Sequence, residues 1–403
     1  MSVKNVAVIG AGTMGAGIAQ LAAEHGCAVH LIEVNRDVLR QALAAIGERL
    51  SRAVAKGKLS GAERDAVLRR IHAAESIHGL QDVAIAIEAV VEDLSVKQTV
   101  FAELESATDP SAVLATNTSS LSITRIAKPA RRPGRIIGMH FFNPAPIMPL
   151  VEVVAGEQSD ESAITAAMDT AKSWGKVPVR VKDTPGFIVN RVARGFYLEA
   201  LRLLGEGVAG VDETDNIMRR HGKFKMGPFE LMDLVGLDVN YSVSCSVWEQ
   251  MGKPTRLEPH EIQRKLVEAG HLGRKTGRGF YSYDDGGPLP ACPVERRSFG
   301  LSPLLSDVML AFSGRAGAVE ATSTEQYVFC RILGAVINEA GLACSDGVAS
   351  AADIDVAMQK GTNYPKGPLA WADEIGPRTV RGLLKALNSL TADGRYQPAP
   401  LFA

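Results

Sequence analysis

The sequence predicts an α/β fold, a doubly wound parallel sheet with a helical hairpin, followed by an all-α domain present in two tandem copies. Three observations predict it. Over residues 1–184, short β-branched runs alternate with helix-period patterns, as in strands joined by helical crossovers. After Asp183-Thr184-Pro185-Gly186 the helical period continues with few strand runs. Residues 326–403 then repeat residues of the 185–285 stretch at a gapless offset of 140.

Element by element, Val6-Ala7-Val8-Ile9 is continuously apolar, as a strand buried on both faces should be. Ala28 to Glu33, Ala84 to Ala89, Val113 to Thr116, Arg135 to His140 and Leu150 to Val154 read as further strands. The stretch from Arg36 to Ile71, punctuated by Gly57 and Gly61, is too long for an ordinary crossover and reads as a helical hairpin standing off the sheet. A Gly/Pro cluster, Asp284 to Pro290, closes the first helical domain at 285, and residues 286–325 lack clear periodicity and read as a linker. In the repeat, Arg191 matches Arg331, Glu199 matches Glu339, and Gly207-Val208 matches Gly347-Val348. The register continues through Asp215/Asp355, Met218/Met358, Gly227-Pro228/Gly367-Pro368, Asp233/Asp373 and Gly236/Gly376. The second copy, 326–403, reads as truncated.

Composition narrows the function. Lys plus Arg number 44 against 45 Asp plus Glu, a balance that excludes a generally basic nucleic-acid binder. No apolar run approaches the ~20 residues that cross a bilayer, so no membrane partner is expected. Met1-Ser2-Val3-Lys4-Asn5 leads directly into a strand-like run without a signal peptide's cleavage region. Five cysteines without CxxC spacing suggest reduced thiols in the cytoplasm, with neither a disulfide framework nor a metal site.

Gly10-Ala11-Gly12-Thr13-Met14-Gly15 stands between a strand and a helix pattern. Gly10 would allow the tight turn, Gly12 the approach of a pyrophosphate, and Gly15 close packing of helix on strand, the Rossmann-type arrangement for a dinucleotide. The N–H groups of Thr13 and Met14 open a helix whose dipole favours phosphate. Glu33, ending the second strand, would accept hydrogen bonds from the adenosine ribose and favour NAD over NADP, although Arg36 nearby weakens that exclusion; a capping or solvated carboxylate is the alternative. His140 ends a strand where open α/β sheets bind ligands. Glu152, amid the apolar Pro149 to Val154 run, needs a partner because an unpaired buried charge is costly. An imidazole base oriented by a carboxylate fits both residues. From spacing alone, a satisfied core histidine and a structural ion pair are the commoner reading.

Taken together, these segments resemble the 3-hydroxyacyl-CoA dehydrogenases over residues 1 to about 285, through GAGTMGAGIAQ, IEAVVED, NTSSLSI, GMHFFNPAP, LVEVV, TPGFIVNRV, MGPFELMDLVGLD and LGRKTGRGFYSY. NYPKGPLAWADEIG in the tail is similar to the long tandem form met in phenylacetate catabolism. The resemblance implies an NAD-dependent oxidoreductase acting on a 3-hydroxyacyl-CoA, with Ser119, His140, Glu152 and Asn190 as its catalytic set. Ser119 and Asn190 would hydrogen-bond the substrate oxygen; otherwise Ser119 would cap the next helix and Asn190 tie domains together. The resemblance further places Glu92, Lys97, Asn143 and Lys275 in the cofactor site; from sequence alone they read as solvated or capping residues. Arg49, Arg52 and Lys56, with Lys58 beside them, form a basic stripe on the hairpin. The family's acyl-CoA contacts lie on that hairpin, which assigns Arg52 and Lys56 to the CoA phosphates; a solvated face is the alternative.

Two other functions fit parts of the chain, a catalytically silent NAD-binding protein like the crystallin relatives and a dehydrogenase of free hydroxy acids. Short relatives dimerise through the helical domain, so the repeat predicts that copy two packs on copy one as an intramolecular pseudo-dimer, with a homodimer by tail exchange as the alternative. Copy two is expected to be silent, since Cys330 stands where copy one has Asn190.

Overall fold

The computed structural model describes residues 3–284, 287–297, 300–318 and 320–402; Met1-Ser2, the expected boundary at Asp285 and Gly286, and Ala403 lie outside the described residues. The chain forms two compact units, Met1–Phe187 and Ile188–Ala403.

In the first unit, β1 (Asn5–Ile9), α1 (Thr13–Glu24) and β2 (Ala28–Ile32) lead into a hairpin of α2 (Arg36–Ala55) and α3 (Gly61–Arg69). There follow β3 (Ile71–Ala74), β4 (Ile85–Glu88), α4 (Leu94–Ala107), β5 (Val113–Thr116), α5 (Ile123–Ala127), β6 (Ile136–Phe141), β7 (Leu150–Ala155), α6 (Glu161–Ser173) and β8 (Val177–Lys182). The eight strands pair in the order β3-β2-β1-β4-β5-β6-β7-β8, so strand order reverses between β1 and β4. All pairs are parallel except β6 with β7. Residues 142–149 that join those two are too few for the crossover a parallel pair requires. The antiparallel register sets His140 opposite Glu152.

Two strands of this sheet, β3 and β8, are absent from the sequence reading. Both are edges. Edge strands tolerate proline, and β8 carries Pro178, which breaks its strand pattern; β3 contributes only Ile-His-Ala-Ala. Leu39, Ala42, Ile46 and Leu50, at helical spacing on α2, are buried in one core with Ile18, Leu21 and Ala22 of α1, so the hairpin packs onto that helix. Ser60 and Glu63 start α3 with a reciprocal capping box.

The second unit opens with α7 (Val189–Val192), α8 (Arg194–Gly205), α9 (Val211–Arg220), α10 (Pro228–Val235), α11 (Leu237–Gln250) and α12 (Glu261–Glu268), followed by the short strands β9 (Tyr281–Ser282) and β10 (Leu289–Pro290). The segment read as a linker contains α13 (Pro303–Arg315), capped by the Ser302 side chain. Its inward Leu305, Met309 and Phe312 follow helical spacing, but Leu304 and Leu310 are exposed on the other side and blur the pattern. Then come α14 (Ser323–Ser345), α15 (Ala351–Thr362), α16 (Pro368–Ile375) and α17 (Pro377–Thr391). α14 is long and apolar enough to cross a membrane, yet 78% of its apolar window is buried inside the protein, the environment that its composition suits.

The 140-residue repeat is visible in the bonds. Asp215 accepts the N–H groups of Phe229 and Glu230, and Asp355 those of Leu369 and Ala370, each pair opening the matching helix, α10 or α16. The copies meet through α8 and α14. Arg191 bonds Glu339 at 2.7 Å while Arg331 bonds Glu199 at 2.6 Å, the reciprocal pattern of an isologous interface. A Cβ on Gly195 would lie 2.9 Å from the Ala335 backbone, its own counterpart, so the two helices cross where the pseudo-twofold axis must pass. Asp233 and Asp373 part company. Asp233 is buried and accepts the N–H groups of Phe280 and Tyr281, whereas Asp373 is exposed.

Candidate active site

The site residues of the first unit gather at the carboxyl ends of β1, β2, β4, β5 and β6, beside the reversal of strand order, where open α/β sheets bind ligands. In the glycine turn, Gly10 has φ +97° and a Cβ there would fall 2.6 Å from the Ala89 carbonyl oxygen; a Cβ on Gly15 would fall 1.8 Å from that of Gly10. Around Gly12 a Cβ would meet nothing within 4 Å. Gly12 is also the N-cap of α1 and offers no side-chain cap, and Thr13 beside it is exposed while Met14 is half-buried. This open, uncapped helix start fits a pyrophosphate. Glu33 is drawn to the same turn, accepting the Ala11 N–H at 3.0 Å and the Asn35 N–H at 3.0 Å. Arg36, the residue that weakened the NADP exclusion, is taken up by Glu75 at 2.8 Å.

After β4, three acidic and basic residues order the loops. Glu88 is buried and accepts from Lys97 Nζ (2.7 Å), Thr116 Oγ1 (2.7 Å) and the Val90 N–H (2.7 Å). Lys97 is 1% exposed, so it is neither a solvated nor a capping residue; it bridges Glu88 and, at 3.2 Å, Glu92. Glu92 Oε1 in turn accepts from Thr118 Oγ1 (2.5 Å), the Ser119 and Ser120 N–H groups (3.1 Å each) and Ser120 Oγ (2.9 Å). Burial works to raise the Glu92 carboxyl, but the Lys97 charge and these hydroxyls hold it below its ordinary value. Glu92 therefore shapes the loop that presents Ser119. The cap of α5 comes from Ser122, not from Ser119.

At the end of β6, His140 Nδ1 lies 2.7 Å from Glu152 Oε2, with the histidine 6% exposed and the glutamate fully buried. With Nδ1–H donating to the Glu152 carboxylate, Nε2 is left as the acceptor. Phe142 and Phe187 pack against the imidazole, their ring centres 4.5 and 5.8 Å away. Asn117 Oδ1 accepts the Phe141 N–H at 2.9 Å and ties the end of β5 to the histidine strand. Asn143 follows, exposed, in the β6–β7 loop. That loop is gathered by Lys176, which donates to the carbonyls of Ala145 (2.7 Å), Pro146 (3.2 Å) and Met148 (2.8 Å). It rests on α1, where a Cβ on Gly17 would be 3.2 Å from Ala145 Cβ.

The basic stripe divides. Arg49 turns inward to Gln20 Oε1 at 2.6 Å, and burial, with Arg52 adding repulsion, lowers its pKa. Arg52, Lys56 and Lys58 are exposed, Arg52 lying 3.8 Å from Glu48. Asn190 and Lys275 belong to the second unit, Asn190 on α7 and Lys275 bound to Asp238 at 2.6 and 2.7 Å. Glu88, Asn117 and Lys176 were missed in the sequence. For Glu88 there was a signal, a carboxylate ending the apolar Ile85-Ala86-Ile87 run, which must find a cation.

Comparison with known proteins matches residues 5–184 to the 3-hydroxyacyl-CoA dehydrogenase NAD binding domain, and residues 186–283 and 327–403, one stretch in each helical copy, to the 3-hydroxyacyl-CoA dehydrogenase C-terminal domain. The chain is 37% identical to the 3-hydroxyadipyl-CoA dehydrogenase of Escherichia coli K12 over 464 aligned positions, spanning 100% of this chain and 97% of that one. It is 40% identical to a 3-hydroxybutyryl-CoA dehydrogenase of Clostridioides difficile, over 69% of this chain and 99% of the relative. A crystal structure described as 3-hydroxybutyryl-CoA dehydrogenase from Escherichia coli K12 is similar with a TM-score of 0.87 and 36% identity, covering 100% of this chain and 98% of that one. With its glycine turn, eight-stranded sheet and tandem helical copies accounted for, the chain belongs to the 3-hydroxyacyl-CoA dehydrogenase family, enzymes that work with NAD.

Proposed function

We propose that this enzyme oxidises the C3 hydroxyl of a (3S)-3-hydroxyacyl-CoA to the 3-oxo form, with His140 as general base and Glu152 as its orienting carboxylate. The buried 2.7 Å pair between Nδ1 and Oε2 carries the proposal. NAD, when bound, supplies the acceptor for the hydride that leaves C3. His140 takes the hydroxyl proton on Nε2 as that hydride departs. Glu152 holds the tautomer and offsets the positive charge of the imidazolium. Ser119 and Asn190 hydrogen-bond the oxygen on which charge develops. Gly12, Thr13 and Met14 hold the pyrophosphate, and Glu33 the adenosine ribose. Glu92, Asn143 and Lys275 complete the cofactor side, with Lys97 acting through Glu92. Arg52 and Lys56 engage the phosphates of CoA.

The full-length relatives carry both names, 3-hydroxyadipyl and 3-hydroxybutyryl, and the shorter relative of Clostridioides difficile carries the second, which supports one of these two acyl chains. His140→Gln should lower kcat at least ~10²-fold, the lower end for general-base catalysis, when NADH formation is followed with 3-hydroxybutyryl-CoA. Near-normal turnover would remove the histidine from the mechanism. A comparison of kcat/KM between the adipyl and butyryl thioesters, with free 3-hydroxybutyrate as control, decides the acyl group; turnover of the free acid would refute the CoA requirement.

A further inference from the structure

At the 140-residue offset the two helical copies can be compared position by position, and one face differs. In copy one that face carries Asn190, exposed Val235 and Val239 (44% and 48%), and Gly236, whose Cβ would stand 3.1 Å from Lys275 Nζ. In copy two the matching positions are Cys330, Ile375, Thr379 and Gly376. Cys330 and Ile375 are completely buried. What buries them is α13. The Cys330 thiol donates to the Met309 carbonyl at 3.6 Å. Arg315 Nη1 donates to the Ile375 carbonyl at 2.9 Å and the Thr379 hydroxyl at 3.1 Å, and stands 3.2 Å from where a Cβ of Gly376 would be. A cation thus faces the same glycine in both copies, Lys275 in one and Arg315 in the other. Leu305, Met309 and Phe312 are buried beneath α13, which packs on α14, α16 and α17.

We propose that α13 is a built-in occupant of copy two, seated on the face where copy one carries Asn190 and Lys275, and that it keeps the second copy closed to acyl-CoA and dinucleotide. This rests on the assignment of Asn190 and Lys275 to the working site of copy one. The asymmetry is then more than the loss of an amide at position 330: a helix has taken the ligand's place, with an arginine where the lysine of the working copy would be. One chain accordingly holds one acyl-CoA and one NAD.

The test uses the full-length protein with two readouts. Titration calorimetry with acetoacetyl-CoA in the presence of NADH should give one equivalent bound per chain; two equivalents would overturn the proposal. Alkylation by N-ethylmaleimide, read by mass spectrometry, compares Cys330 with Cys344 on the same helix. In the unmodified protein Cys330 should react at least ~10²-fold more slowly than Cys344, since a thiol sealed beneath a packed helix reacts only through local opening. Met309→Asp should unseat α13 and raise the Cys330 rate toward that of Cys344 while kcat changes less than twofold. If that variant does not fold, Arg315→Ala, which removes only the two surface bonds, should raise the Cys330 rate by several-fold. A Cys330 rate that stays unchanged in a folded, active variant would overturn the proposal. Dehydrogenase activity of the unmodified chain is measured alongside, so failure of the assigned reaction would show there and not in the labelling.

Discussion

Lys176 gathers the loop that links the strands of His140 and Glu152. Its buried ammonium has its pKa lowered by desolvation, with Glu24 acting in the other direction. Three loop carbonyls converge on it, and the loop they belong to joins the strand of His140 to that of Glu152. Lys176→Met would leave those carbonyls without their donor, at ~1–3 kcal/mol for an unsatisfied buried group, and would loosen the dyad. Thermal denaturation should register the loss, and kcat should fall by roughly 10- to 10²-fold, the scale of an ångström of misplacement. An unchanged kcat would mean that the β6–β7 pairing fixes the dyad alone. At this scale the sequence was informative where chemistry is local: the glycine turn, and a carboxylate in an apolar run that requires a partner. It was silent where a residue is defined by distant backbone, as Lys176 is. It misled for Lys97, whose helical surroundings look solvent-facing until Glu88 and Glu92 close over it.

The seam between α8 and α14 is held by charge in a buried setting. Burial by itself would raise the Glu199 carboxyl, but the guanidinium groups of Arg331 and Arg202 and the Tyr396 hydroxyl bring it down to about 2 from 4.5. A carboxyl held below its unfolded value stabilises the fold above the unfolded pKa, and that stabilisation is lost as pH falls toward the folded one. The seam should therefore weaken between pH 4.5 and pH 2 by ~3 kcal/mol, seen as a falling melting temperature of the helical unit. Glu199→Gln should flatten that slope. Arg331→Met, which leaves Glu199 buried without its main partner, should cost ~3–5 kcal/mol at neutral pH by urea denaturation. These helices were legible by period and by repeat, as were the six strands with strong β-branched content. The two edge strands and α13 were not, because proline, a short weak run and apolar residues on both faces conceal the period that a half-buried element would show.

For the whole molecule, removal of everything after residue 290 would strip copy two from the face of α8 that Gly195 and Arg191 present. The truncated protein should dimerise or aggregate in sedimentation experiments; a soluble, stable monomer would show that the tail covers nothing essential. The reciprocal bonds have one more consequence. In a dimer of identical chains every interface substitution occurs twice, so a mutation at Arg191 would break both of its symmetric bonds together and any change has to be tolerated in duplicate. Here Arg191–Glu339 and Arg331–Glu199 lie on one chain, and each can be altered alone. Dilution cannot separate the halves, and each half is free to change by single steps. Cys330 against Asn190, and exposed Asp373 against buried Asp233, are places where the two halves already differ while the reciprocal bonds between them are kept.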